Sequence, residues 1–265
     1  MRDIAAIEQG YVRITDFLFR YWPRRRPSAQ RLADGRLVAH RGAHDNITVL
    51  ENTLAAFEQA ADAGVWGIEL DVRWTRDAVP VVLHDPDLAR LHGVPAGVDT
   101  LTWRQLRREA PAVPALSEVV TRFGGRLHLM LEIKPVTRPD PATRNQTLQE
   151  VLAPLQPATA FHLMALAPGT LAPMAGFPPS ARIAIAYHWP DGFSRWVAAH
   201  RWGGVCSHFA LMRTALIRRH HALGQRIGTG FAASRNCLYR EIQRGVDWIF
   251  SNNAHHLQRF LHPPR

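Results

Sequence analysis

Two acids separated by a single residue, in Gly67-Ile68-Glu69-Leu70-Asp71-Val72, are the first sign of chemistry in this sequence. Successive side chains of a strand point to opposite faces, so Glu69 and Asp71 share one face while Ile68, Leu70 and Val72 take the other. The same spacing recurs in Leu131-Glu132-Ile133-Lys134, which puts Glu132 and Lys134 together at the end of another strand. Carboxylates turned inward repel one another unless a proton or cation lies among them. Three of them at the ends of two strands make a hard oxygen site suited to Mg²⁺ or Ca²⁺, with no need of histidine ligands. For Glu69 and Asp71 taken alone, a solvated hairpin edge is the competing reading.

His40-Arg41-Gly42 closes the first candidate strand and His84-Asp85 closes a later one. The chain has 14 histidines, so position and not residue type singles out these two. Imidazoles with an ordinary pKa of ~6.5 can divide general-base and general-acid duties at neutral pH. Lys134 is the sole lysine among 32 basic residues, and it offers a compact ammonium where arginine would offer a planar fork. A cation site, two imidazoles and two fixed positive charges, Arg41 and Lys134, are the parts needed to cleave a phosphodiester.

Such groups need a scaffold that brings strand ends together. From Arg36 onward, β-rich runs alternate with helical patterns, as in βα units around a parallel sheet. Candidate strands are Leu37 to Arg41, Gly67 to Thr75, Val79 to His84, Leu127 to Ile133, Ala160 to Leu166, Arg182 to Tyr187, Val205 to His208, Arg226 to Gly230 and Trp248 to Ser251. Only Arg76, Asp77 and Ala78 join the second to the third, too few for a crossover, so these two form a hairpin and eight parallel strands remain. The expectation is an α/β fold, a TIM (β/α)₈ barrel with a hairpin extension after its second strand, whose ligand site lies at the carboxyl ends of the strands.

Helices are expected at Thr53 to Ala63, Trp103 to Glu109, Leu116 to Phe123, Ala142 to Leu152, Arg195 to His200, Leu211 to Leu223, Cys237 to Arg244 and His255 to Phe260. The loop from Asp85 to Thr102, with its prolines and glycines, is placed to cover part of a pocket. Residues 1–35 read as an amphipathic helix and a basic linker, and 36–265 as the barrel domain. In the helix, Ile4, Ile7, Tyr11, Ile14 and Leu18 form one apolar stripe, with Arg24, Arg25 and Arg26 following. That stripe suits packing on the barrel or against a second chain, or peripheral contact of residues 1–26 with an anionic membrane.

The 265 residues and 29.8 kDa are ample for such a barrel, and 46% hydrophobic with 20% charged residues exclude a disordered tail. Six prolines break the uncharged run from Val151 to Ala181, which excludes a continuous membrane helix there. Asp3 and Glu8 interrupt any export signal, and Cys206 and Cys237 show no metal or disulfide spacing, so the expected location is cytoplasmic, at most peripheral to the inner membrane face. The net charge of +10 favours anionic partners of every kind, but no nucleic-acid motif accompanies it.

The ordered elements resemble the glycerophosphodiester phosphodiesterases. These are His40-Arg41-Gly42, Glu51-Asn52-Thr53, Glu69-Leu70-Asp71, the hairpin Thr75-Arg76-Asp77-Ala78-Val79-Pro80-Val81-Val82-Leu83-His84-Asp85, and Glu132-Ile133-Lys134. The resemblance implies a divalent cation held by Glu69, Asp71 and Glu132, acid/base catalysis by His40 and His84, and phosphate binding by Arg41 and Lys134. It further implies release of glycerol 3-phosphate and an alcohol from a small-molecule or lipid phosphodiester. Asn52 is expected to cap the following helix. Gly245 to Asn252 continues the likeness, with Ser251 and Asn252 where the family has threonine and aspartate. Gly230-Phe231-Ala232-Ala233 replaces the family's W-T-V-N, and Met164-Ala165-Leu166 its S-F-D. These departures lie where the leaving alcohol would bind, and they leave open a lysophospholipase D-like activity on membrane lysophospholipids. An inactive barrel that binds anionic membranes is the reading from another class.

Overall fold

The computed structural model describes residues 14–15, 17–187 and 189–261. Its strands, in chain order, are β1 (Leu37–His40), β2 (Gly67–Trp74), β3 (Pro80–Val82), β4 (Asp87–Leu88), β5 (Val94–Gly97), β6 (His128–Ile133), β7 (Phe161–Ala165), β8 (Arg182–Ala186), β9 (Gly204–His208), β10 (Arg226–Gly230) and β11 (Trp248–Ser251). Eight of them, β1, β2 and β6 to β11, pair in parallel and close into a ring when β1 joins both β11 and β2. The antiparallel β3 lies beside β2, with Val82 opposite Val72, as the three-residue connection requires. The fold is the expected TIM barrel.

Alternation along β2 explains the layering. Ile68, Leu70 and Val72 join the large apolar layer between barrel and helices, packed with Phe57, Phe123 and Leu129. Each such side chain removed from water stabilises the fold by about 1.5–3 kcal/mol. Inside the ring, Val38, Met130, Met164, Ile183, Cys206, Trp248 and Phe250 fill the middle. At the amino end of the strands, the barrel floor holds a buried imidazole pair, His128 Nε2 to His162 Nδ1 at 2.8 Å, with Trp66 stacked on His128. Nothing in the sequence pattern had marked these two histidines.

The helices depart from expectation in informative places. The helix expected to begin at Arg195 spans Pro190–Ala199, because proline is tolerated in a first turn where its missing N–H has no partner to lose. Short helices at Ala29–Ala33, Ala89–His92 and Pro168–Leu171 were not expected. The Asp85 to Thr102 loop holds the β4/β5 hairpin, and Leu88 and Val98 anchor it in an apolar cluster with Leu83, Leu106 and Val113. It is a fastened arm. Of the expected amino-terminal helix, residues 14, 15 and 17–21 are helical and the rest lies outside the described residues. No helix among the described residues is long and apolar enough to cross a membrane.

Candidate active site

Parallel register assembles the site. His40 on β1 lies opposite Glu69 on β2, and Asp71 lies opposite Glu132 on β6, so inward side chains from three neighbouring strands meet at their carboxyl ends. Glu69, Asp71 and Glu132 are buried and bring ligand oxygens within 4.8 Å of one another. The ammonium of Lys134 lies 2.7 Å from Asp71 Oδ1 and 2.5 Å from Glu132 Oε1. Arg41 Nε lies 3.2 Å from Asp71 Oδ2, and Arg41 Nη1 donates to Glu51 Oε1 at 3.0 Å. His40 Nε2 lies 3.7 Å from Glu69 Oε2.

The His-Arg-Gly turn is built for this approach. Arg41 sits at φ +57°, a costly region for a residue with a Cβ, and its backbone N–H donates to Glu69 O at 3.0 Å and to Glu69 Oε2 at 3.2 Å. Gly42 follows at φ +81°, and a Cβ there would lie 2.8 Å from Ala56 C, so only glycine lets the turn pass the helix Leu54–Asp62.

Asn52 is a correction to the sequence reading. Thr53, not Asn52, caps the helix, accepting from Ala56 N. Asn52 instead grips Asp71 at both ends: Asn52 Nδ2 donates to Asp71 Oδ2 at 2.7 Å, and Asn52 Oδ1 accepts from Asp71 N at 3.3 Å. Glu51 is also drawn in, accepting from Arg41, from Asn46 Nδ2 at 2.7 Å and from Arg90 Nη2 at 2.6 Å. Arg90, on the arm between β4 and β5, also pairs with Asp85 at 2.5 Å, a role with no local signal in the sequence.

The imidazoles have different partners. His40 Nδ1 donates to the amide oxygen of Asn252 at 2.6 Å, and Phe231 packs edge-to-face with the ring at 4.7 Å between centroids. His84 follows Leu83, whose N–H donates to Asp71 O at 3.0 Å, and His84 Nδ1 meets the carboxylate of Asp85 at 2.7 Å.

Burial, then the neighbouring Arg41, push the His40 pKa down to about 3. Burial also lowers His84. Burial opposes ionisation of Asp71, but Lys134 and Arg41 outweigh it and hold this carboxyl below the usual range. Glu69 goes the other way, raised by burial and by Asp71 and Glu132. Its Oε1 is buried and makes no hydrogen bond, as expected of a ligand atom awaiting a cation. Hard oxygen donors at this spacing fit a divalent ion such as Mg²⁺ or Ca²⁺. Formal charges agree: three carboxylates with Arg41 and Lys134 sum to one negative charge, which a divalent ion would turn into one positive charge.

Every sequence-predicted site residue thus lies at the mouth of one barrel. Among the described residues that follow β7 and β8, Leu166, Tyr187 and Trp189 are exposed. A cavity of about 320 Å³ opens near the ends of β2 and β6, bounded by Arg73, Asp99, Pro135 and Thr137.

Comparison with known proteins bears on this geometry. Residues 40–162 match the Glycerophosphoryl diester phosphodiesterase family. A protein of Mycobacterium tuberculosis named "Probable glycerophosphodiester phosphodiesterase 2" is 27% identical over 242 residues, covering 84% of this chain and 89% of its own. Mouse "Glycerophosphodiester phosphodiesterase 1" is 40% identical over 98 residues, 32% of this chain and 29% of its own length. Among solved structures, an Oleispira antarctica phosphodiesterase in complex with the product sn-glycerol-3-phosphate superposes with a TM-score of 0.72 at 21% identity, over 85% of this chain and 96% of its own. The glycerophosphodiester phosphodiesterase of Thermotoga maritima gives 0.71 at 22%, over 84% and 96%. At these identities the structural likeness speaks for the barrel alone. The likeness to the family model spans residues 40–162, the stretch that carries the three acids, Lys134, Arg41, His40 and His84.

Proposed function

We propose that this chain is a glycerophosphoryl diester phosphodiesterase that hydrolyses glycerophosphodiesters to glycerol 3-phosphate and an alcohol at the mouth of its barrel. The observation that carries the reading is the meeting of Glu69, Asp71 and Glu132 within 4.8 Å, beside Lys134 and Arg41 and flanked by His40. The relative that holds sn-glycerol-3-phosphate supports the substrate class.

Glu69, Asp71 and Glu132 would hold a divalent ion, Mg²⁺ or Ca²⁺, which would supply Lewis-acid polarisation of a phosphoryl oxygen. Arg41 and Lys134 bind the phosphoryl oxygens, where negative charge grows as the reaction proceeds. His40, bonded through Nδ1 to a neutral amide and kept unprotonated by burial, is the general base. It removes the proton of the glycerol hydroxyl beside phosphorus, and that oxygen displaces the alcohol to leave a cyclic phosphate. His84, whose Nδ1 faces the Asp85 carboxylate, is the general acid that protonates the departing alkoxide. Water then opens the cyclic phosphate to glycerol 3-phosphate, with the two imidazoles exchanging roles.

A second substrate class is favoured by exposed Leu166, Tyr187 and Trp189 near the strand ends. These suit an acyl-bearing leaving group or substrate, as in lysophospholipase D-like chemistry. The inactive-barrel reading is weaker, because the acids, cations and imidazoles are all gathered and mutually paired. Incubation with glycerophosphocholine and with lysophosphatidylcholine, with and without EDTA, followed by mass spectrometry, tests the proposal. Metal-dependent appearance of glycerol 3-phosphate or lysophosphatidate is expected. Absence of both, or release of phosphocholine, would overturn it.

A further inference from the structure

The helical residues 14, 15 and 17–21 turn their apolar side outward. Thr15 is buried and Phe19 packs edge-on against Phe209 at 5.3 Å, under the guanidinium of Arg240 at 4.7 Å. Opposite them, Ile14, Phe17, Leu18, Tyr21 and Trp22 are 58 to 64% exposed. A surface helix of a soluble protein normally does the reverse, and exposed apolar stripes of this kind mark contact surfaces.

Hydrogen bonds fix where this stripe lies. The helix Arg235–Arg244 follows β10, so its first turn is at the mouth of the barrel and its last turn at the floor. Asn236 in the first turn donates to Arg20 O at 2.7 Å, and Gln243 in the last turn donates to Arg25 O at 2.7 Å. The chain therefore descends from mouth to floor between residues 20 and 25, and residues 14–19 stand at the mouth end. The stripe shares that end of the barrel with the carboxylate site.

We propose that Ile14, Phe17, Leu18, Tyr21 and Trp22, with Arg20 and Arg24, form a docking face for an anionic lipid bilayer, which would present the mouth of the barrel to the membrane surface. Tyr21 and Trp22 close the apolar stripe with amphipathic rings, the residue types that settle at the boundary between acyl chains and headgroups. Exposed Arg20 stands beside them and the guanidinium of Arg24 lies 6.0 Å from the Trp22 ring, in a chain of net charge +10. Each arginine held at an anionic surface adds favourable free energy, so the apolar and charged parts reinforce one another. The same charge argues against a second copy as the occupant. A two-fold contact through this face would set one arginine cluster against its own image.

The inference does not depend on the proposed reaction and is tested by binding. Flotation of the full chain with vesicles of phosphatidylcholine and phosphatidylglycerol, at physiological salt, is expected to carry protein upward. Vesicles of phosphatidylcholine alone are expected to leave it behind. The double variant Tyr21→Ala/Trp22→Ala should bind about tenfold more weakly or worse. Arg20→Ser/Arg24→Ser should lose a comparable factor and much of the salt sensitivity. Circular dichroism and turnover of soluble glycerophosphocholine should be unchanged in both variants. Failure of the parent chain to float, or equal flotation of the variants, would overturn the proposal. So would a lipid-free dimer in sedimentation velocity that Tyr21→Ala/Trp22→Ala dissociates, which would assign the face to a second copy.

Discussion

The two halves of the barrel mouth are built on opposite principles. On β1, β2 and β6, inward side chains are charged, buried and held by several partners each: Asp71 alone is engaged by Asn52, Lys134 and Arg41. On β7 and β8 the corresponding positions lead to Leu166 and Tyr187, exposed and without charge. The charged half leaves little freedom, since removing one member of a buried ion pair costs about 3–5 kcal/mol and strands its partner. The apolar half can change without leaving any buried charge unpaired. Reaction chemistry and substrate choice are thereby assigned to different strands of one ring.

The sharpest way to break this division is to remove the imidazoles. His40→Ala and His84→Ala should each lower kcat by on the order of 10²- to 10⁴-fold while leaving metal affinity unchanged, as measured by steady-state kinetics beside metal titrations. Loss of metal affinity in either variant would place the imidazole among the ligands. A smaller effect is expected from the groups that orient the acids. Asn52→Ala should reduce metal affinity or activity by about 10- to 100-fold, and Lys134→Arg should fall in the same range, because a planar fork cannot replace an ammonium seated between two carboxylates.

On the apolar side, Leu166→Ala should shift the ratio of kcat/KM for lysophosphatidylcholine to that for glycerophosphocholine by about tenfold, as expected for part of one apolar side chain. An equal loss on both substrates would move Leu166 into the common machinery. Phe231 straddles the two halves through its contact with His40, so Phe231→Ala should affect both substrates.

The smallest effect concerns the seam between the halves, where His128 on β6 bonds His162 on β7. Burial lowers these imidazoles to about 4 and about 3, below their ordinary value of 6.5. The unfolded chain binds the protons more readily, so the stability that depends on neutral rings is full above pH ~6.5 and declines as pH falls toward the folded values. Each ring contributes up to about 1.4 kcal/mol per pH unit in that window. Denaturant titrations between pH 7 and 4 should show this slope, and His128→Asn/His162→Asn should flatten it.

How much of this was legible follows from the physics of each signal. All nine expected strands exist, because period-two alternation is local and survives in any context that buries one face. The acids, cations and imidazoles were found for the same reason: they sit at strand ends with fixed spacing. Asn52 was misread because its neighbourhood favours a cap, while its true partner, Asp71, is 19 residues away and meets it only across the barrel. Arg90 and the floor histidines were invisible on similar grounds, being paired through the fold. The helix Pro190–Ala199 was shortened in the reading because Pro190 and Gly192 look like loop until the first turn is allowed a proline.

The central claim is that Glu69, Asp71 and Glu132 converge to bind one divalent ion. Calorimetric titration of the full chain with Mg²⁺ and with Ca²⁺, repeated on Glu69→Gln, tests it most directly. The account predicts one ion per chain for at least one of the two metals, tighter binding as pH rises because burial and the neighbouring acids hold the Glu69 carboxyl above its usual range, and affinity lost in the variant. No saturable binding by the parent chain, or equal binding by Glu69→Gln, would contradict it.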